Sequence, residues 1–282
     1  MCLGICIVLC ACIRATQIPG TRKSGHGFRH VTSDNVVSPE NTDSIGENKA
    51  EKQDDSENKQ KNSAAPSASD EPDDVGKVAY LTFDDGPSVI TEDVLDILKE
   101  EDVKATFFMI GNQINEKTKP IVDRLCSEGH QIGVHTFCHE AGSIYCSAES
   151  YYSDLMKAEQ IILEYTGTAP LVYRFPWGSA NGYIKGFRKE IVCKLSDVGM
   201  EYCDWNVSGE DSIGTPSAAQ IYKNVRKNYD KFSQPVILLH DSATRKETVR
   251  ALPDIIKLYK EAGYTFDIIK NREKPFQWMA YD

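Results

Sequence analysis

The chain has 282 residues, 40% of them hydrophobic and 26% charged, with a formal net charge of −10. About −4 of that charge falls before residue 76 and about −6 after it, with no basic stripe; this argues against nucleic acid or another polyanion as partner and favours a neutral substrate. Nine cysteines, four of them in the first 12 residues, leave an odd five downstream without paired Cys-x-x-Cys spacing. That pattern points away from a zinc ribbon or a disulfide scaffold and toward thiols that are mostly small buried apolar groups.

In chain order, "MCLGICIVLCACIRA" comes first. It is apolar, too short to span a bilayer, and lacks the positive start of an ordinary signal peptide. Followed by a long polar tether, residues 1–18 read as a signal-like or anchor-like segment. The expectation is an extracellular or cell-surface protein whose membrane contact runs through this segment alone. Residues 19–75 are rich in Asn, Ser, Glu, Asp and Lys and poor in aromatics, so they are expected to be a disordered linker. Residues 76–282 suffice for a single domain with one large core.

Within that domain short apolar runs alternate with amphipathic ones. "VAYLTF" (78–83) precedes a helical pattern in which Ile90, Val94, Leu95 and Leu98 share a face. "ATFFMIG" (105–111) and "QIGVHT" (131–136) are followed by helices, the first stopped at Gly129. "LVYRF" (171–175), "EYCDWNV" (201–207) and "PVILLH" (235–240) continue the alternation, and "YTFDII" (264–269) closes it. Seven strands of nearly continuous Val, Ile, Leu and Phe predict a parallel sheet buried on both faces, either a barrel or a doubly wound sheet.

Parallel architectures place their chemistry at the C-terminal ends of the strands. There the first strand ends in Asp84-Asp85, the third in "HTFCH" (135–139), the fourth in "RFPWG" (174–178) and the sixth in "LLHD" (238–241), with Asp211 following the fifth. Asp-Gly-Pro at 85–87 is good turn chemistry in its own right. The gathering of acids and histidines on one rim weighs against a turn alone. His135 and His139, four apart, can aim two imidazoles at one point, and with one carboxylate they would form a catalytic metal site with open positions. The second aspartate is then free to accept a proton from water that the metal has acidified. Arg174, following the apolar "LVY", would hold that carboxylate in place. His240 is the candidate general acid, with Asp211 setting its tautomer.

"TFDDGP", "HTFCH", "RFPWG" and "LLH", in this order and spacing, resemble the signature of the polysaccharide deacetylase family, the NodB-homology domain of carbohydrate esterase family 4. The resemblance implies a distorted (β/α) barrel of about seven parallel strands. It implies removal of N-acetyl groups from N-acetylglucosamine residues of a polymer, peptidoglycan first and chitooligosaccharide or another such polymer as the alternative. One divalent ion is implied, zinc ahead of cobalt, manganese or nickel, held by Asp85, His135 and His139. Asp84 would be the base, oriented by Arg174, and His240 the acid; Leu238 would line the acetyl pocket and the Trp177 N–H would help stabilise the oxyanion. The family's Asp-x-x-Asp-Trp motif has no clean match. "EYCDW" (201–205) would put Asp204 inside a strand, so Asp211 of "SGEDS" is preferred, and Trp205 is left to replace the missing tryptophan wall. The expected protein is a monomer. A non-catalytic carbohydrate-binding protein on the same fold and a metal phosphoesterase are the competing readings, the second lacking a second metal site or a basic cluster.

Overall fold

The structure is a computed structural model that describes residues 76–279; the apolar segment 1–18 and the linker 19–75 lie outside the described residues. The chain runs β1 (Val78–Gly86), α1 (Val89–Glu100), β2 (Ala105–Met109), α2 (Lys119–Ser127) and β3 (Gln131–Val134). There follow α3 (Ala141–Ile144), α4 (Ala148–Thr166), β4 (Val172–Tyr173), α5 (Arg188–Ser196) and β5 (Glu201–Tyr202). The last elements are β6 (Val207–Ser208), α6 (Ala218–Arg226), β7 (Val236–His240), α7 (Lys246–Glu261) and β8 (Thr265–Phe266). No helix among the described residues is long and apolar enough to cross a membrane.

Helix starts follow local chemistry. Ser88 caps α1: its hydroxyl accepts from Ile90 N at 3.0 Å, while Thr91 Oγ1 accepts from Ser88 N at 2.9 Å. Ser147 caps α4, which ends at Gly167 in the left-handed region. The expected face of α1, Ile90, Val94, Leu95 and Leu98, is buried against the sheet.

The sheet order is β5-β4-β3-β2-β1-β7-β6, every ladder parallel, with β8 pairing the first residues of β1. The sheet curls into a half-barrel with helices around it, as the resemblance implies. Strand alternation sorts the core. Ala79, Leu81, Phe83, Phe107, Ile237 and Leu239 pack outward among the helices. Tyr80, Phe108, Val172, Cys203 and Val236 form a separate inner cluster. Gly133 leaves room for it: a Cβ there would lie 2.7 Å from Phe108 Cδ1.

One expected strand divides in two. "EYCDWNV" reads as a single run, yet β5 and β6 lie on opposite edges of the sheet, so there are eight strands. Cys203–Asn206 cross from one edge to the other. Cys203 N donates to Tyr173 O at 2.9 Å, and Asn206 exchanges hydrogen bonds with Val236 through N (3.1 Å) and Oδ1 (2.8 Å). The barrel therefore closes through a crossing loop instead of strand pairing. Residues 276–278 dock on that loop: Asp204 N donates to Phe276 O (2.7 Å), Gln277 Nε2 to Tyr202 O (3.0 Å) and Trp278 Nε1 to Trp205 O (2.6 Å).

The five domain cysteines are all free. The expected burial holds only for Cys203; Cys126, Cys146 and Cys193 are exposed and Cys138 is half-buried. Cys126 and Cys193 lie on the outer faces of α2 and α5, and Cys138 and Cys146 lie in loops.

If the tail seals the crossing loop, Trp278→Ala should lower stability by about 2 kcal/mol, at the low end for a half-buried aromatic. Urea denaturation checks this, and an unchanged midpoint would mean that the tail is not part of the core's closure.

Candidate active site

Two adjacent residues of a regular strand point to opposite faces. Asp84 and Asp85 nevertheless reach the same side. Along β1, Asp84 pairs with Phe108 and Gly86 with Met109, so Asp85 is an extra residue, a bulge, with φ +73°. As a result Asp84 Oδ2 and Asp85 Oδ1 lie 3.7 and 3.6 Å from the same atom, His135 Nε2. Gly86 must be glycine at this point, because a Cβ would come within 2.4 Å of Asp241 Oδ2.

His135 and His139 come from the loop after β3, which bends through positive φ at Thr136 (+67°) and His139 (+56°). Of the six non-glycine residues with positive φ among those described, Asp85, Thr136, His139 and Trp177 sit in this site, where surrounding structure must hold the strain. His139 Nε2 is 3.4 Å from Asp85 Oδ1, and one donor atom each from Asp85, His135 and His139 all lie within 4.8 Å of one another. His135 Nδ1 is 2.9 Å from Arg174 O; donation there fixes the tautomer and leaves Nε2 as a lone-pair donor. Burial, with the charge of His139, holds the His135 pKa down at about 3, so the ring is neutral, the form that binds metals. Asp85 Oδ1 is buried without any hydrogen-bond partner. Two imidazole nitrogens around an orphaned carboxylate oxygen fit a divalent cation.

Arg174, at the end of β4, is wholly buried. Its Nη1 donates to Thr82 Oγ1 and Asp84 Oδ1 (2.8 Å each), Nε to Cys203 O (2.8 Å) and Nη2 to Asp204 O (3.1 Å). Burial pushes Asp84 above its ordinary pKa, with the Arg174 charge opposing.

His240 ends β7 in register with Asp84, and Asp241 N donates to Asp84 O at 3.0 Å. Its Nδ1 is 2.8 Å from Asp211 Oδ1; Asp211 Oδ2 accepts from His240 N (2.8 Å) and Thr248 Oγ1 (2.7 Å). Burial alone would lower the His240 pKa, but the Asp211 hydrogen bond and charge, with Asp84 and Asp85 beyond, raise it to about 9. Asp211 itself is held below its ordinary value by the same bonds, against burial.

Leu238, two residues before His240 on the same face, is buried opposite Thr82. Trp177 lies at the lip, its ring 5.0 Å from that of His139, and its N–H makes no hydrogen bond to any described residue. Trp205 is elsewhere: its ring stands 5.6 Å from the Arg174 guanidinium and edge-on to Trp278 at 4.4 Å. Asp204 is not inside a strand, since β5 stops at Tyr202; it accepts from Ser179 N (2.8 Å), Ser179 Oγ (2.6 Å) and Trp278 N (2.9 Å). The ground for preferring Asp211 thus fails, while the geometry still sets Asp211, and not Asp204, on His240. His130 is a core histidine whose Nδ1 accepts from Ala105 N at 3.2 Å.

Three residues with a part in this architecture escaped the sequence. Asn181 donates through Nδ2 to Pro176 O (3.1 Å) and Gly178 O (2.7 Å), fixing the Trp177 turn. Ser179 anchors Asp204. Asp241 carries a buried carboxyl raised by burial to about 7, accepts at Oδ2 from Thr91 Oγ1 (2.5 Å), and takes the Ser88 hydroxyl on its carbonyl at 2.5 Å. Only Asp241 had a signal, its place next to His240 at a strand end.

The family model described as polysaccharide deacetylase matches residues 71–195. A peptidoglycan-N-acetylglucosamine deacetylase of Bacillus cereus is 38% identical over 196 residues, covering 68% of each chain. The catalytic domain of a peptidoglycan N-acetylglucosamine deacetylase from Eubacterium rectale superposes with a TM-score of 0.67 at 30% identity, covering 74% of this chain and 96% of that one. A family 4 acetyl xylan esterase from Clostridium thermocellum, in complex with a cobalt ion, gives a TM-score of 0.59 at 28% identity, covering 69% and 89%. The chain belongs to the polysaccharide deacetylase family, carbohydrate esterase family 4, whose deacetylases are metal-dependent hydrolases of N-acetyl groups.

Arg174→Met would strip a buried carboxylate of its partner and should cost about 3–5 kcal/mol, much of it recovered when Asp84→Asn is added. Chemical denaturation of the double-mutant cycle measures this; additive losses would show that the pair is not coupled. Asp211→Asn removes the anion that holds the His240 proton. The alkaline limb of the kcat/KM profile should move to lower pH, and a limb that stays in place would separate it from the His240–Asp211 pair.

Proposed function

We propose that this enzyme removes acetyl groups from N-acetylglucosamine residues of a cell-wall polysaccharide, peptidoglycan ahead of chitooligosaccharide. One observation carries the reading: the Asp85–His135–His139 donor set lies beside a carboxylate held by Arg174, and a histidine held by Asp211 stands in register with that carboxylate. The Bacillus cereus and Eubacterium rectale relatives, both peptidoglycan N-acetylglucosamine deacetylases, support the substrate class.

Asp85, His135 and His139 would hold the metal, for which zinc suits a two-nitrogen, one-oxygen set. When bound, it supplies a Lewis acid that polarises the acetyl carbonyl and lowers the pKa of water. Asp84, its proton affinity raised by burial and its position fixed by Arg174, takes the proton of the attacking water. The Trp177 N–H meets the carbonyl oxygen as charge develops on it. His240, charged through neutral pH and presenting Nε2 because Nδ1 is engaged, delivers its proton to the departing sugar nitrogen. Leu238 supplies apolar surface for the acetyl methyl.

The same reading places the domain outside the cell, reached through the linker 19–75 from the apolar segment 1–18. This rests on the sequence.

Acetate release from peptidoglycan and from chitooligosaccharides, with and without chelator, tests the proposal. Asp84→Asn should lose turnover by orders of magnitude while metal content, read by atomic absorption, persists. Retained turnover would remove Asp84 from the base role, and chelator-insensitive release would remove the metal.

A further inference from the structure

The metal-site residues come from two separate segments, Asp85 from the bulge that ends β1, His135 and His139 from the loop after β3. One short turn touches both. Residues 110–113 follow β2 directly. Ile110 N donates to Gly86 O at 2.8 Å, and Gln113 Nε2 donates to Asp85 O at 3.1 Å. From the same turn Gly111 N donates to Thr136 O (2.9 Å) and Asn112 N to Phe137 O (3.0 Å). Carbonyls of both ligand-bearing segments thus end on one stretch of chain.

The other side of the histidine loop is held by α4. Phe137, midway between His135 and His139, donates its N–H to Asp154 Oδ1 at 2.6 Å, a short bond of the charge-assisted kind. About one turn further along α4, Lys157 Nζ stands 3.5 Å from the centre of the Phe137 ring. Gly111 lets these parts meet: a Cβ there would lie 2.7 Å from Ala158 Cβ and 3.0 Å from Phe137 Cδ2. Phe137 is therefore engaged through its N–H, its carbonyl and its ring. Asp85, Thr136 and His139 all have left-handed φ, a conformation that relaxes unless the surrounding structure over-determines it.

We infer that Gln113 and Asp154 are positioning residues for the metal, holding the ligand set at binding separation before an ion arrives; the inference rests on the ligand assignment of the proposed function. Neither belongs to the donor set. Gln113 acts on Asp85 through its carbonyl, and Asp154 acts on the loop through the N–H of its middle residue. His135 is fixed independently, by Met109 O on its N–H and Arg174 O on Nδ1. The ligands that would drift without the two positioning residues are therefore Asp85 and His139. An ion would then have to order both strained segments as it bound, at a cost in affinity that a pre-organised site avoids.

The test titrates the full chain, stripped of metal, with cobalt(II) alone and reads the visible bands of the bound ion. Circular dichroism and the urea midpoint without metal accompany each variant. Asp154→Ala and Gln113→Met each remove one of the two bonds and should weaken cobalt binding about tenfold, as loss of a partner behind a ligand does. Asp154→Asn keeps an oxygen for Phe137 N and should bind as wild type. The two losses come from different elements, so Gln113→Met still decides the matter if Asp154→Ala fails to fold. Wild-type affinity in a folded Asp154→Ala or Gln113→Met overturns the inference, even where the urea midpoint falls, and so does an equal loss in Asp154→Asn. His139→Ala separates this from the ligand assignment, since it should lose cobalt outright. If it does while both positioning variants bind as wild type, the ligands stand and the positioning falls. If His139→Ala itself binds as wild type, the ligand assignment falls and takes the positioning with it.

Discussion

The structure turns on one buried cation. Arg174 has four of its N–H directions committed, to Thr82, Asp84, Cys203 and Asp204, and its guanidinium lies over the Phe108 ring at 4.1 Å. Removing this charge from water is costly, and a buried ion pair is weak evidence of stability by itself. Its value here is geometric. The guanidinium joins β1, the end of β4 and the crossing loop, at the place where the sheet has no strand pairing to close it. Lysine could not substitute, since a single ammonium cannot hold partners on three sides in one plane. The same group that closes the barrel also sets the position of Asp84, and its own carbonyl fixes the tautomer of His135. Fold and site share one residue.

A second constraint follows from the bulge at Asp85. Regular alternation would have divided the two aspartates between the inner and outer faces. The extra residue puts both inward, and their environments then separate them. Asp84 is wholly buried with Arg174 on Oδ1, whereas Asp85 keeps a buried oxygen without a partner between two imidazoles. Left-handed backbone at Asp85, Thr136, His139 and Trp177 is the cost of bringing short loops to one point. Asp241 helps to carry it from behind, bonded to Ser88 and Thr91 at the start of α1 and packed where Gly86 lacks a side chain.

Much of this was legible because strand ends are where a parallel sheet displays its chemistry. Asp84, Asp85, His135, His139, Arg174 and His240 all stand at or just beyond the C-terminal end of an apolar run. The division of "EYCDWNV" was not legible, since an unbroken apolar run carries no mark of where pairing changes from one sheet edge to the other. Asp204 was misplaced for that reason. The bulge left only Gly86 as a trace, and the turn it suggested was real but did not show that a residue had been inserted. The docking of Trp278 depends on a partner 73 residues away in sequence, Trp205, so no local pattern could show it. Cysteines misled because composition gives a type's average burial and not where each one falls, Cys126 and Cys193 on outer helix faces and Cys138 and Cys146 in loops.

Charge accounting explains why the site's parts need one another. Asp84, Asp85 and Asp211 bring three carboxylates into a space from which water is largely excluded, and Arg174 and the His240 imidazolium answer two of them. Asp211 is satisfied by His240 and Thr248, and Asp84 by Arg174, so of these three carboxylates Asp85 is the one without a compensating partner. That is the carboxylate whose free oxygen faces both histidine Nε2 atoms. Neutral His135 cannot answer it, because burial keeps its proton off. A divalent cation at this point would neutralise the carboxylate left over among these three and use the lone pair that burial keeps available on His135. The arrangement of protons and the arrangement of ligands are therefore the same arrangement, fixed by which groups Arg174 and Asp211 have already claimed.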